Sequence, residues 1–290
     1  MTLRLALLTT LSLLAFAGNS LICRMALQLT EIDPATFNTI RLVSGAVFLG
    51  LFITASRSIG RIEGTWVGAV ALFIYAIAFA YAYSGMPAGT GALLLFGSIQ
   101  VAMLITGMVM GERFSQVQLL GLGLAVIGLV ALMWPAVGAP DPSSGVLMVI
   151  SGVAWAVYTL MGRGAGNPMA ATAGNFLRAT PIAIGFYLVG WATFGDVSWD
   201  IPGVFYALVS GVVTSGMGYI CWYASVKELK VTHAATVQLS VPIIAAVGGV
   251  IFLNEAITQL LVFVSISVLC GIALVIFNPT FGFRRVTEGG

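Results

Sequence analysis

Charge is what this chain has least of, and that scarcity excludes more than any motif does. Of its 290 residues only 8% are charged and 59% are hydrophobic, with a mean hydropathy of +1.05. An ordinary soluble domain carries about 25% charged residues, so a soluble fold is excluded. Twelve Lys and Arg against ten Asp and Glu leave a net charge of +2, too small and scattered for a nucleic-acid-binding face; no nucleic-acid partner is expected. Cysteine and histidine are equally sparse. Cys23, Cys221 and Cys270 sit in apolar runs at unrelated spacings, which supports neither a disulfide framework nor a thiolate metal site. The single histidine, His233, has no ligand cluster beside it, and an interfacial position suits it better than a pH switch. No glycine-rich turn ends in Lys-Ser or Lys-Thr, as an ATP-driven pump would need. Neither a metal nor a cofactor is called for.

What is present is apolar sequence in long runs. Crossing ~30 Å of hydrocarbon takes about 20 residues of helix, and the runs reach that length at 3–28, 34–55, 65–85, 88–110, 116–134, 145–162, 169–194, 201–226, 234–253 and 257–277. Stretches such as 91–110 and 119–133 do not alternate in polarity, which a membrane β-barrel would require. The expected fold class is therefore an all-α membrane protein of ten transmembrane helices in a lipid bilayer. Arg4, an apolar run and Ala15-Phe16-Ala17 imitate a secretory signal, but the same pattern recurs deep in the chain, which argues against that reading. The connections are short, the longest being 135–144 with Pro135, Pro140 and Pro142, so the whole chain reads as one membrane domain.

Basic residues near span ends are retained on the cytoplasmic side. With the N-terminus inside, Arg4, Arg57, Arg61, Arg113, Arg163, Lys227, Lys230, Arg284 and Arg285 all fall on that side, while Arg24 lies near the outside. The opposite loops carry Glu31, Asp33, Asp141, Asp196, Asp200 and Glu255. Both termini are expected in the cytoplasm.

An internal repeat organises the spans. At an offset of 143, Gly111-Glu112-Arg113-Phe114-Ser115-Gln116 matches Asn254-Glu255-Ala256-Ile257-Thr258-Gln259, and Gly128 falls on Gly271. Ser12-Leu13-Leu14-Ala15-Phe16-Ala17 matches Ser151-Gly152-Val153-Ala154-Trp155-Ala156, and Arg24 falls on Arg163. Residues 1–138 and 139–290 are thus expected to be two five-helix copies. Five being odd, the second copy crosses the bilayer in the opposite sense, the inverted plan common among secondary transporters.

Two five-helix copies, the aromatic-Ala pattern in helices 1 and 6, and Gly111-Glu112 and Asn254-Glu255 after helices 4 and 9 resemble the drug/metabolite transporter superfamily, in its ten-helix EamA-type branch. Within it the chain looks most like bacterial exporters of amino acids, particularly aromatic ones. The resemblance implies a bacterial inner-membrane location and a bundle in which helices 1, 3, 4, 6, 8 and 9 surround a central cavity, with helices 5 and 10 peripheral. Pro87 departs from the repeat, standing where Lys230 precedes helix 9.

Ionisable side chains within spans are functional candidates by default. Arg41 and Arg178, seven and ten residues after Pro34 and Pro168, could each bind a substrate carboxylate; bonding to backbone carbonyls or a loop acid, or snorkelling, is the stronger reading. Glu112 and Glu255 stand between spans, with Ser115 and Thr258 three residues on, which favours a turn or cap over proton coupling. No acid lies near the middle of a span, so facilitated diffusion or exchange is as well supported as proton antiport. Tyr75, Phe79 and Tyr83 share a face of helix 3, and Tyr219, Trp222 and Tyr223 a face of helix 8. These aromatics, with Trp155, either line a cavity or form an interfacial belt. Asn19, Gln100, Tyr158, Gln238 and Ser240 either bind substrate or bond between helices. Pro242 cannot donate to the Gln238 carbonyl, nor Pro181 to that of Leu177, so helices 9 and 7 are expected to kink, with a role in gating.

The expected function is alternating-access export of a small amphipathic metabolite, an amino acid with an aromatic or apolar side chain. A carrier of hydrophobic drugs or nucleotide sugars is the nearest alternative. The sugar would call for more basic residues than Arg41 and Arg178, and a cationic drug for a central acid. An enzyme needs a nucleophile with a base or metal in the membrane, and the sequence offers none. Oligomeric state is open, a monomer included.

Overall fold

A computed structural model describes residues 2–56, 62–112, 114–134, 140–162, 166–195, 197–229 and 231–277. Arg57, Arg61, Arg113, Arg163, Asp196, Lys230, Arg284 and Arg285, on which much of the expected orientation rests, lie outside the described residues.

Helix starts follow from side chains that satisfy the first free N–H groups. Thr2 heads α1 (Leu3–Leu29), Asp33 heads α2 (Pro34–Ala55) and Thr65 heads α3 (Trp66–Ser84), each accepting from the first turn. After Pro87 comes α4 (Ala88–Val109), and α5 (Gln116–Met133) opens on a full capping box between Ser115 and Gln118. Asp141 precedes α6 (Pro142–Gly162); the Ser143 hydroxyl and the Ser144 N–H donate to it and hold its carboxyl below the usual carboxylate range. Asn167 caps α7 (Pro168–Phe194) and Asp200 caps α8 (Ile201–Val226). Thr258, accepting from Leu261 N–H, stands before α10 (Gln259–Phe277).

Two helices depart from regularity. The middle of α8, Ser210–Met217, is wound as a π-helix. Thr214 there donates to the Ser210 carbonyl at 3.0 Å, and Gly211 and Gly216 lie so close to Arg41, Ser44 and Phe48 of α2 that a Cβ at either would overlap them. The second irregular helix, α9, comes in two pieces, Val231–Gln238 and Ser240–Leu253. The break at Leu239 falls three residues before Pro242, which has no N–H for the Gln238 carbonyl. By contrast α7 continues past Pro181 uninterrupted.

Among the described residues nine helices are long and apolar enough to cross a membrane; α7 has the length but is diluted by Thr172, Asn175, Arg178 and Thr180. The chain is a multi-pass membrane protein, all-helical throughout the described residues. Its packing runs in matched pairs: α3 lies on α6 and α8 on α1, α4 on α6 and α9 on α1, α3 on α7 and α8 on α2, while α2 meets α7, α4 meets α9 and α5 meets α10. The α5–α10 seam is made close by Gly121 and Gly271, with Ser267 Oγ donating to the Leu124 carbonyl at 3.0 Å. That seam contributes nothing to the central cavity, which opens among the other helices.

Candidate substrate cavity

A cavity of about 770 Å³ runs from the middle of the bundle to the end where Met110, Glu112, Gly162, Pro168 and Leu229 lie. Helices α1, α3, α4, α6, α8 and α9 all contribute walls, as the sequence resemblance implied, and so does α7, through Pro168, Ala171, Thr172 and Asn175.

The opposite end is sealed. Leu21 of α1 occupies the space over Gly248, and Ala246 that over Gly89. Across this seam Arg24 Nε donates to Glu255 Oε1 at 3.2 Å. Arg24 Nη1 also donates to the last carbonyls of α3, Tyr83 at 2.8 Å and Ser84 at 3.1 Å, and Glu255 Oε2 accepts the first N–H of α4, Ala88, at 2.8 Å. Each charge therefore faces a helix terminus of opposite polarity. Glu255 does cap a helix, as expected, but α4 in the other half of the chain, and it gains an ion pair the sequence reading did not assign. Glu112, its counterpart in the repeat, lies at the open mouth with its carboxylate against Gly107.

One wall is aromatic. Trp155 stacks on Tyr219 with centroids 5.6 Å apart at 17°, lies 4.6 Å from Tyr75 and 5.1 Å from Tyr158, while Phe16 meets Trp222 edge-on at 5.6 Å. Polar groups punctuate it. Tyr158 donates to Thr172, which donates to Tyr223. Asn19 Oδ1 accepts from Ser210 at 2.8 Å and lies 3.1 Å from the Thr214 hydroxyl, whose single hydrogen it shares with the Ser210 carbonyl; both residues belong to the π-wound part of α8.

Of the residues nominated from sequence, Asn19, Tyr75, Phe79, Gln100, Trp155, Tyr158, Tyr219, Trp222, Tyr223 and Gln238 line the cavity. Two do not. Tyr83 is fully buried beneath the seal and donates to the Ala88 carbonyl at 3.3 Å. Ser240 bonds back to the Val237 carbonyl at 2.6 Å. The two intramembrane arginines also part company. Arg178 donates to the Glu63 and Gly174 carbonyls at 2.9 and 3.0 Å, tying the segment before α3 to α7. Arg41 is buried, with 1% of its surface exposed. Counted from the helix-opening Pro34 and Pro168, the counterpart of Arg41 is Asn175, which lines the cavity. Sequence reasoning missed Asn175, Thr172, Phe16, Thr214 and Ser215; the Asn and the Thr-Ser pair, polar residues within apolar spans, were the available signal.

The model of the EamA-like transporter family matches residues 3–134 and 143–277. An uncharacterised protein of Pseudomonas aeruginosa is 47% identical over 287 residues, covering 99% of this chain and 98% of its own. The threonine/homoserine exporter RhtA of Salmonella typhimurium is 29% identical across 64% of this chain and 63% of its own, and a Salmonella protein named "Probable amino-acid metabolite efflux pump" is 23% identical across 69% and 70%. A solved crystal structure superposes with a TM-score of 0.65 at 17% identity, covering 94% of this chain and 96% of the other, a likeness of fold.

Proposed function

We propose that this chain, which belongs to the EamA-like transporter family, exports small amphipathic metabolites, amino acids with aromatic side chains among them, by alternating access. The carrying observation is the cavity itself: open at one end, sealed at the other by an ion pair bound to two helix termini, and walled by aromatic rings beside hydrogen-bonding groups. With the N-terminus in the cytoplasm of a bacterial inner membrane, the open mouth faces the cytoplasm and admits substrate for export. The matched packing of α3 on α6 with α8 on α1, and of α4 on α6 with α9 on α1, supports two inverted five-helix units that rock around the cavity, with the α9 break at Leu239 as a site of bending. The names of RhtA and the efflux pump support amino-acid export; the aromatic wall supports the preference within that class.

The purified protein in liposomes is expected to show saturable counterflow of labelled phenylalanine and tryptophan, threonine more slowly and a cationic dye not at all. Because no described Asp or Glu lies midway along the cavity, flux should proceed without an imposed pH gradient; a strict requirement for one would move attention to Glu112. Absence of counterflow for every amino acid, from protein that is folded and monodisperse, would overturn the assignment. Trp155→Ala removes the ring stacked between Tyr219 and Tyr75. With aromatic pairs worth about 0.5–1.5 kcal/mol beyond burial, KM for tryptophan should rise roughly tenfold while that for threonine changes little.

A further inference from the structure

Arg41 is the charge that the transport cycle as described leaves unused. Among the described residues no carboxylate pairs with it, the ion pair there being Arg24–Glu255. A guanidinium stays protonated under any physiological condition, and an uncompensated charge in low dielectric is unfavourable unless other groups meet it. They meet it in part. Nε donates to Ser215 Oγ at 3.3 Å and Nη2 to the Tyr75 hydroxyl at 3.1 Å; the Tyr75 and Phe79 rings lie 5.4 and 5.2 Å from Cζ, within cation–π range. Nη1 has no partner among the described residues.

Nε and Nη2 form the side-on edge of the fork, the edge that grips a carboxylate through two parallel bonds. Here two hydroxyl oxygens occupy it, side by side because adjacent guanidinium nitrogens hold them, and both belong to cavity-lining residues. Tyr75 also accepts from Asn19 Nδ2 at 3.5 Å. A hydroxyl has one hydrogen to give, and with their lone pairs turned toward donors, neither Tyr75 nor Ser215 gives its hydrogen to another described residue. The result is a pair of polarised hydroxyls on two cavity-lining residues, each with its hydrogen given to no other described residue and with an unneutralised positive charge directly behind them.

Resting on the transporter reading above, we infer that Tyr75 and Ser215 form a carboxylate seat backed by Arg41, so that the transported molecule carries a carboxylate. One planar group with two oxygens matches two adjacent donors, and Trp155, beside Tyr75, receives the apolar remainder. Arg41 acts through the two hydroxyls as a positioning residue and supplies the counter-charge. The same argument places the amino group of an amino acid away from the seat, so an acid lacking the amine should still bind.

The test is competition against labelled phenylalanine counterflow by 3-phenylpropionate, which keeps the carboxylate, by phenethylamine, which keeps only the amine, and by inorganic phosphate. On the wild-type protein 3-phenylpropionate is expected to compete within a few-fold of phenylalanine, and phenethylamine roughly 10- to 100-fold more weakly, the loss expected for a hydrogen-bonded charged group. Tyr75→Phe and Arg41→Met should each narrow that gap, with Tyr75→Phe keeping the ring contacts so that misfolding is not the cause. Equal competition by phenethylamine and 3-phenylpropionate in the wild type would overturn the seat and leave transport intact. Competition by phosphate as strong as by 3-phenylpropionate would overturn the restriction to carboxylates. Absence of phenylalanine counterflow altogether is the separate failure of the transporter reading.

Discussion

Replacing Glu255 by alanine is expected to open the sealed end of the bundle. The experiment uses a chain whose native cysteines are alanine and whose Ala92 is cysteine. Ala92 of α4 is fully buried, in one apolar cluster with Leu13 and Ala17 of α1 and Val241 and Ala245 of α9, and a membrane-impermeant maleimide added from the sealed side should barely label it. Glu255 holds Arg24 and the Ala88 N–H in a setting where only 14% and 11% of the paired Arg24 and Glu255 side chains are exposed. A hydrogen bond to a charged group contributes about 1.5–3 kcal/mol, so its loss should move the balance toward the form opened at that end by roughly 10- to 100-fold, read as a faster labelling rate. Were this an ordinary ion pair, Arg24→Glu with Glu255→Arg would restore the seal. It should not, because the exchanged glutamate would meet the terminal carbonyls of α3 and the exchanged arginine the N–H end of α4, each against the local polarity. Unchanged labelling in Glu255→Ala, or full recovery in the exchanged pair, would remove the seal from the mechanism.

Gly174→Ala should be among the most damaging single-methyl additions in the protein. A Cβ there would stand 1.5 Å from the Glu63 carbonyl oxygen and 2.8 Å from Arg178 Nη1, and the obstacle is backbone, which cannot swing aside as a side chain can. The segment before α3 would have to leave α7, losing the bonds of Glu63 to Arg178 and of Thr65 N–H to Asn175. Overpacking typically costs about 1–3 kcal/mol, and the upper end applies where backbone is displaced. Gly185 in the same helix has nothing within 4 Å of its Cβ position, so Gly185→Ala should be neutral or stabilising by about 0.5–1 kcal/mol. Thermal unfolding of the two variants in detergent separates the cases, and equal midpoints would contradict the close approach.

The helices were legible because each is written locally. Apolar runs of bilayer length, set off by charges and by Pro and Gly breaks, placed the helices to within a few residues, and Asp33, Ser115 and Asn167 then turned out to be their side-chain caps. The break in α9 was legible in Pro242 for the same reason. Ten of the nominated cavity residues line the cavity because bulky aromatics and amides in an otherwise aliphatic span are conspicuous. Other features had no local signature. Arg24 and Glu255 are 231 positions apart, the π-wound stretch of α8 lies where Gly211 and Gly216 meet α2, and two arginines that looked equivalent diverged, with Asn175 at the position matching Arg41.

Length and apolarity by themselves determined that this is a helical, multi-pass membrane protein, since backbone hydrogen bonds must be satisfied within the hydrocarbon whatever the tertiary arrangement. Which face of each helix turns inward was decided only by the tertiary structure. In a soluble protein a polar outer face would mark the inner one, but lipid tails are as apolar as a protein core, and these helices are apolar nearly all round. The seal, the share of α7 in the cavity and the hydroxyl pair on Arg41 therefore exist only where distant spans meet.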